Sequence, residues 1–163
     1  LTYNRLFCYR RFTIYDETSQ EIIHMVATFV LMDRDNRKVH PVEPEIVAPY
    51  QSEFSKKLLR GPKYAELEEA ISKDYHVRFY DLDMNGHVNN SKYLDWIFEV
   101  MGADFLTNHI PKKINLKYVK EVRPGGMITS SYELNQLESN HQVTSDGDIN
   151  AQAKIIWQEI NTD

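Results

Sequence analysis

The sequence predicts an α+β fold in which a curved antiparallel sheet wraps one buried helix, and three features carry that expectation. Over residues 91–105 the polar side chains Lys92, Asp95 and Glu99 fall three and four apart and make one narrow stripe. Tyr93, Leu94, Trp96, Ile97, Phe98, Val100 and Met101 cover the rest of that helix. Exposed apolar surface costs about 25 cal/mol per Å², so such a helix has to be enclosed on most of its circumference. After it, only strand patterns follow: 114–122 alternate, the Arg-Pro-Gly-Gly of 123–126 breaks the run, and 127–135 resume it. Residues 141–146 and 149–160 then flank Asp146 and Gly147, a pair that favours a tight hairpin turn. One helix followed by a long antiparallel meander is an α+β arrangement.

The elements before the helix are read in the same way. Residues 3–15 are rich in aromatic and branched side chains, with Leu6, Cys8, Phe12 and Ile14 of one parity, and read as a strand. A polar turn at 16–20 joins them to a second strand, 22–32, in a long hairpin that 33–38 closes. Pro41, Pro44 and Pro49 argue against regular structure, so 40–70 read as a surface linker, with part of 64–71 compatible with a helix. Residues 75–80 alternate as a short strand with Tyr75, Val77 and Phe79 on one face, and 81–90 form a polar loop. Residues 12–33 and 141–160 share a pattern of strand, acidic turn and long strand with a central alanine (Ala27, Ala153). If this is a repeat, the first copy is missing its helix and early strands, which are then expected before Leu1. The expected division is 1–50 as the closing part of a first domain, 51–73 as linker and 74–163 as a complete second domain.

Composition narrows the function. The 163 residues are 42% hydrophobic and 26% charged, enough for a packed core. No stretch approaches the roughly 20 apolar residues that cross a bilayer, so no membrane association is expected. A net charge of −5 argues against a general nucleic-acid binder. Cys8 is the only cysteine and reads as a buried strand residue, so no internal disulfide can form and a cytoplasmic location is expected. Two basic clusters stand out: Lys56, Lys57, Arg60 and Lys63, then Lys112, Lys113, Lys117, Lys120 and Arg123. Either is compatible with a solvated face or with an acidic partner.

The chemistry concentrates just before the helix. Asp83, Asn85 and His87 are spaced i, i+2, i+4, so an extended loop would project a carboxylate, a carboxamide and an imidazole to one side. The helix start at Asn89 and Asn90 adds N–H groups and a positive dipole end suited to a developing oxyanion. A base, a carbonyl-polarising donor and a proton relay suffice for acyl transfer to water. Asp, Asn and Gly are equally ordinary loop and capping residues, and the residues alone leave both readings open. One His beside one Asp and one Asn is a poor ligand set, so no metal and no cofactor are expected.

The segment from Asp83 through Asn85, His87, Val88, Asn89 and Asn90 to Tyr93 and Trp96 resembles the catalytic segment of the acyl-acyl carrier protein (acyl-ACP) thioesterases of plants and bacteria. The resemblance spans essentially the whole chain. It implies two tandem hot-dog domains, each a long helix wrapped in a curved antiparallel sheet, the second complete in this chain. It also implies hydrolysis of fatty acyl-ACP in fatty acid biosynthesis, and a further catalytic carboxylate at Glu121, within Leu116-Lys-Tyr-Val-Lys-Glu-Val122. Plant members often carry Cys after this glutamate. Val122 stands here, which removes a cysteine nucleophile. An acidic carrier protein is the implied partner, docked by the cluster from Lys112 to Arg123, and the acid, amide and imidazole are expected beside Glu121 at the mouth of an apolar tunnel. Pairing between hot dogs, within a chain or between copies, would cover the sheet edges. The rival readings are a hot-dog thioesterase acting on coenzyme A esters and a non-catalytic acyl-binding module.

Overall fold

The computed structural model describes residues 1–33, 35–36 and 38–160. They form two compact units, divided between Arg60 and Gly61.

In the first unit, β1 (Thr2–Tyr3) and β2 (Cys8–Tyr15) are antiparallel and β3 (Glu21–Phe29) continues the hairpin. The expected single strand over 3–15 is therefore two. Asn4 breaks it, its side-chain oxygen accepting the N–H groups of Leu6 (3.0 Å) and Phe7 (2.9 Å) and folding the chain back. The same device closes the next turn, where Asp16 Oδ1 takes the N–H groups of Thr18 and Gln20. The alternation through β2 does not match its burial: Tyr9 is the buried residue, Cys8 is half-buried, and Phe12 and Ile14 are exposed. Alternation marks a face that can be covered, and covering it takes a second layer.

Next come β4 (Leu31–Met32), paired with β5 (Val39–His40) around the segment expected to close the hairpin, part of which lies outside the described residues. The proline-rich stretch is more regular than expected. Pro44 opens a one-turn helix, α1 (Pro44–Val47), where a missing N–H costs nothing, and β6 (Glu53–Phe54) pairs in parallel with β1. Val42 and Val47 pack with Tyr3 in a small core.

In the second unit, residues 64–70 contain no helix. The N–H groups of Glu68 and Glu69 donate instead to the Glu133 carboxylate. The strand β7 (Ile71–His76) starts earlier than the alternation suggested. Val77 beyond it is buried, but Phe79 has turned out into solvent (80% exposed) in a 3-10 turn over Phe79–Asp81.

The main helix, α2 (Asn90–Glu99), is shorter than expected, because Gly102 at φ +85° redirects the chain into a separate α3 (Ala103–Asn108). The strands β8 (His109–Tyr118), β9 (Met127–Asn135), β10 (Glu138–Ser145) and β11 (Asp148–Glu159) complete an antiparallel sheet of order β7-β9-β10-β11-β8. Asp146 and Gly147 both have positive φ (52° and 80°), which two-residue hairpins require for strands of right-handed twist. Tyr93, Trp96 and Ile97 of α2 are buried. The sheet offers them small side chains, Ser130, Ser139, Ala151 and Ala153, at 0–1% exposure, letting the helix lie close. Larger side chains close the ends, with Phe98 and Phe105 edge-on to Trp157 at 5.8 and 5.0 Å between ring centroids.

Candidate active site

The loop into α2 is built on two aspartates with different tasks. Asp81 is 1% exposed, and its carboxylate takes the Arg78 N–H (2.7 Å), Nε (3.3 Å) and Nη2 (3.0 Å). Burial pushes its pKa up, but these bonds and the guanidinium charge outweigh burial and hold it below the usual carboxylate range. Its main-chain carbonyl accepts the Asn89 N–H at 2.8 Å, which fixes where the helix begins.

Asp83 organises the exposed side. Its Oδ1 accepts the N–H groups of Asn85 (2.8 Å) and His87 (3.1 Å), and its own N–H donates to the His87 carbonyl at 2.7 Å. The backbone donors of His87 and Asn85 are the main reason its carboxyl lies below the ordinary range, with smaller contributions from the Asn85 side chain and the His87 charge. The loop is thus not extended, as the i, i+2, i+4 argument assumed. It is a tight turn through Gly86 (φ +76°), closed by a Leu82–Val88 bridge. Asn85 and His87 are both exposed, and Asp83, half-buried, turns back onto their main chain.

Glu121 lies close by. His87 Nδ1 is 3.9 Å from Glu121 Oε1, both side chains about half exposed. Asp83, Asn85, His87 and Glu121 are therefore gathered at the entrance of α2.

The helix start differs from expectation in one respect. The Asn89 N–H is already spent on Asp81, and Asn89 Oδ1 caps the helix by accepting the Ser91 N–H at 3.0 Å. Asn90 follows as the first residue of α2, where the N–H groups of a helix have no intrahelical acceptor. The surface beside Glu121 is also not the expected apolar mouth. It is a polar depression of about 280 Å³ lined by Lys120, Glu121, Arg123, Ser145, Asp146, Asp148 and Asn150. Val122 is buried.

The basic cluster is dispersed. Lys113 and Lys117 are exposed and of one parity on the edge strand β8, while Lys112 is the residue skipped between the pairs Lys113–Ile156 and Pro111–Trp157. Lys120 is tied to Asp148, and Arg123 is exposed beside Glu121. Asp81 and the buried Asn150 escaped the sequence reading. Nothing in the pattern singled out Asn150, which shares its strand with Gln152, Lys154 and Gln158.

A helix laid across a curved antiparallel sheet makes this a hot-dog protein. Residues 64–159 match the family model of the acyl-ACP thioesterase C-terminal domain, and residues 1–50 that of the acyl-ACP thioesterase N-terminal domain. The chain belongs to the acyl-ACP thioesterase family. It is 27% identical over 142 residues to oleoyl-acyl carrier protein thioesterase 2 of Arabidopsis thaliana (78% of this chain, 37% of that protein). To the palmitoyl-acyl carrier protein thioesterase of Gossypium hirsutum it is 25% identical over 146 residues (83% and 35%). The chain thus spans little more than a third of these relatives. Among solved structures, a Lactobacillus plantarum protein assigned as an oleoyl thioesterase superposes with a TM-score of 0.92 at 32% identity, covering 99% of this chain and 66% of that one. The 12:0-ACP thioesterase from Umbellularia californica shares the fold, with a TM-score of 0.83 at 22% identity over 96% and 64%. Among the described residues no helix is long and apolar enough to cross a membrane.

Proposed function

We propose that this chain supplies the catalytic centre of a thioesterase that hydrolyses fatty acyl-ACP to free fatty acid and carrier protein, in fatty acid biosynthesis. The observation that carries the reading is the 3.9 Å approach of His87 to Glu121 beside a loop already ordered by Asp83. The thioester carbonyl lies over the start of α2, its oxygen facing the Asn90 N–H and the exposed Asn85 amide. Developing negative charge there meets the positive end of the helix. Glu121 takes a proton from water, and the water oxygen adds to the carbonyl carbon. Collapse of the tetrahedral intermediate breaks the C–S bond, and the proton passes through His87 to the leaving thiolate. Asp83, with Oδ1 engaged by two N–H groups and its basicity reduced by them, holds the loop in shape while Glu121 acts as the base. The exposed Lys113, Lys117 and Arg123 are the docking residues for an acidic carrier protein. The free thiol of Cys8 suits a cytoplasmic location, and hot-dog pairing, within the parent chain or between copies, covers the edge strands β7 and β8.

The test is release of carrier-protein thiol from acyl-ACP by the full-length protein and by Asp83→Asn, His87→Gln and Glu121→Gln. Loss of turnover in His87→Gln and Glu121→Gln is expected. Near-normal rates in all three variants would end the proposal. Equal kcat/KM on acyl-CoA would move the substrate to coenzyme A esters, and bound fatty acid without turnover would make the protein an acyl-binding module.

A further inference from the structure

The last residue of β8 in register with β11 is Tyr118, paired with Ala151, so the chain leaves the sheet three residues before Glu121. A segment outside the ladder has to find other partners for its main-chain groups. Two buried side chains supply them. Asn150 is 1% exposed. Its Nδ2 donates to the carbonyls of Lys120 (3.3 Å) and Glu121 (3.4 Å), while its main-chain carbonyl accepts the N–H groups of Val119 (2.7 Å) and Lys120 (3.2 Å). Its Oδ1 accepts the Ser145 hydroxyl at 2.9 Å, which fixes the amide's orientation. From the other side the hydroxyl of Tyr93, on the first turn of α2, accepts the Val122 N–H at 3.2 Å. The contact is returned by Tyr118, whose hydroxyl donates to the Asn90 carbonyl at 3.0 Å, with the two tyrosine rings edge to face at 5.3 Å. The main chain around Glu121 is thus referenced to β11 and to the helix start that faces the substrate carbonyl.

We propose that Asn150 and Tyr93 are positioning residues for Glu121: they hold its main chain so that its carboxylate meets His87 at the entrance of α2. The inference rests on the role given to Glu121 above. Neither side chain touches the reacting atoms, so their removal lowers kcat and spares KM. A misplacement of about 1 Å costs up to roughly 100-fold in rate, and the expected loss in kcat is roughly 10- to 100-fold.

The experiment is a double-mutant cycle on acyl-ACP hydrolysis by the full-length protein, using Tyr93→Phe, Asn150→Ala and each combined with Glu121→Gln. Tyr93→Phe removes one hydroxyl and keeps the ring, which covers the case in which Asn150→Ala fails to fold. Expected are a fall in kcat with unchanged KM in the single variants, and no further fall when either is added to Glu121→Gln. If the losses multiply in the Glu121→Gln background, or if Tyr93→Phe retains wild-type kcat, the positioning role is overturned. If Glu121→Gln alone retains wild-type kcat, it is the role of Glu121 that fails, and the positioning role falls with it.

Discussion

Asp83 and His87 are joined twice: Asp83 Oδ1 accepts the His87 N–H at 3.1 Å, and the Asp83 N–H donates to the His87 carbonyl at 2.7 Å. The carboxylate thereby sets the shape of the loop that presents the imidazole to Glu121. Asp83→Ala removes an acceptor for two N–H groups and is expected to lower stability. It is also expected to lower kcat at least about 100-fold, since a displaced His87 loses its partner. Asp83→Asn keeps an acceptor at Oδ1 and should recover most of the stability. Thermal melts of the two variants beside their kcat values separate loop order from charge. Equal melting losses in both would show that the charge, not the acceptor, shapes the loop.

The helix and most of the strands after it were legible because their patterns are long, although the strand expected over 114–122 runs instead over His109–Tyr118. β9 runs over Met127–Asn135, the bounds the alternation predicts, and the stripe of Lys92, Asp95 and Glu99 gave the exposed face of α2. What escaped were features decided by single residues or by tertiary partners. Asn4 splits an apparently continuous strand through two local bonds, and residues 64–70 leave the helical pattern for the Glu133 carboxylate, 65 positions from Glu68. Within the site, the motif located Asp83, Asn85 and His87, but spacing could not show that Gly86 folds them into a turn. Nor could it show that Asn89 spends its N–H on Asp81. Such pairings are visible only once the chain has folded.

His141 gives a pH-dependent stability. It is 2% exposed, stacked on Tyr132 with ring centroids 5.8 Å apart, and its Nε2 lies 2.7 Å from the Ser139 hydroxyl. That hydroxyl also accepts Trp157 Nε1–H at 2.7 Å, which leaves its proton and a second lone pair for the imidazole. Burial pushes the imidazole pKa down from 6.5 to about 4. Between those values the unfolded chain binds the proton and the folded chain does not. Stability is therefore full above pH 6.5 and falls as the pH drops towards 4, by roughly 3 kcal/mol in all. Urea unfolding of wild type and His141→Gln at pH 7 and pH 4.5 should show a smaller pH difference in the variant. An unchanged difference would assign the acid sensitivity to other groups.

If Lys113, Lys117 and Arg123 steer an acidic carrier protein, hydrolysis of acyl-ACP must weaken with ionic strength while hydrolysis of an uncharged thioester does not. Lys113→Glu with Lys117→Glu should lower kcat/KM for acyl-ACP about tenfold or more at low salt, chiefly through KM. Lys120→Glu is a weaker probe of docking, because Lys120 is tied to Asp148. A salt-independent rate on acyl-ACP would remove this face from the docking surface.

Gly102 ends α2 and starts α3 with φ +85° and ψ 158°, a conformation that side chains with a Cβ rarely adopt. A Cβ there meets nothing within 4 Å, so the cost of Gly102→Ala is conformational and not steric crowding, about 1–3 kcal/mol. Gly61→Ala, which likewise meets nothing within 4 Å, is the matched control and should be close to neutral. Gly102 lies beyond the opposite end of α2 from Asn90, a helix roughly 15 Å long for its ten residues at 1.5 Å each. The melting temperature should therefore drop in Gly102→Ala while kcat on acyl-ACP stays at the wild-type value below the transition. A parallel loss of kcat at temperatures where the variant is folded would mean that the far end of the helix is coupled to the loop at its start, and that the core beneath α2 is less rigid than its buried small side chains imply.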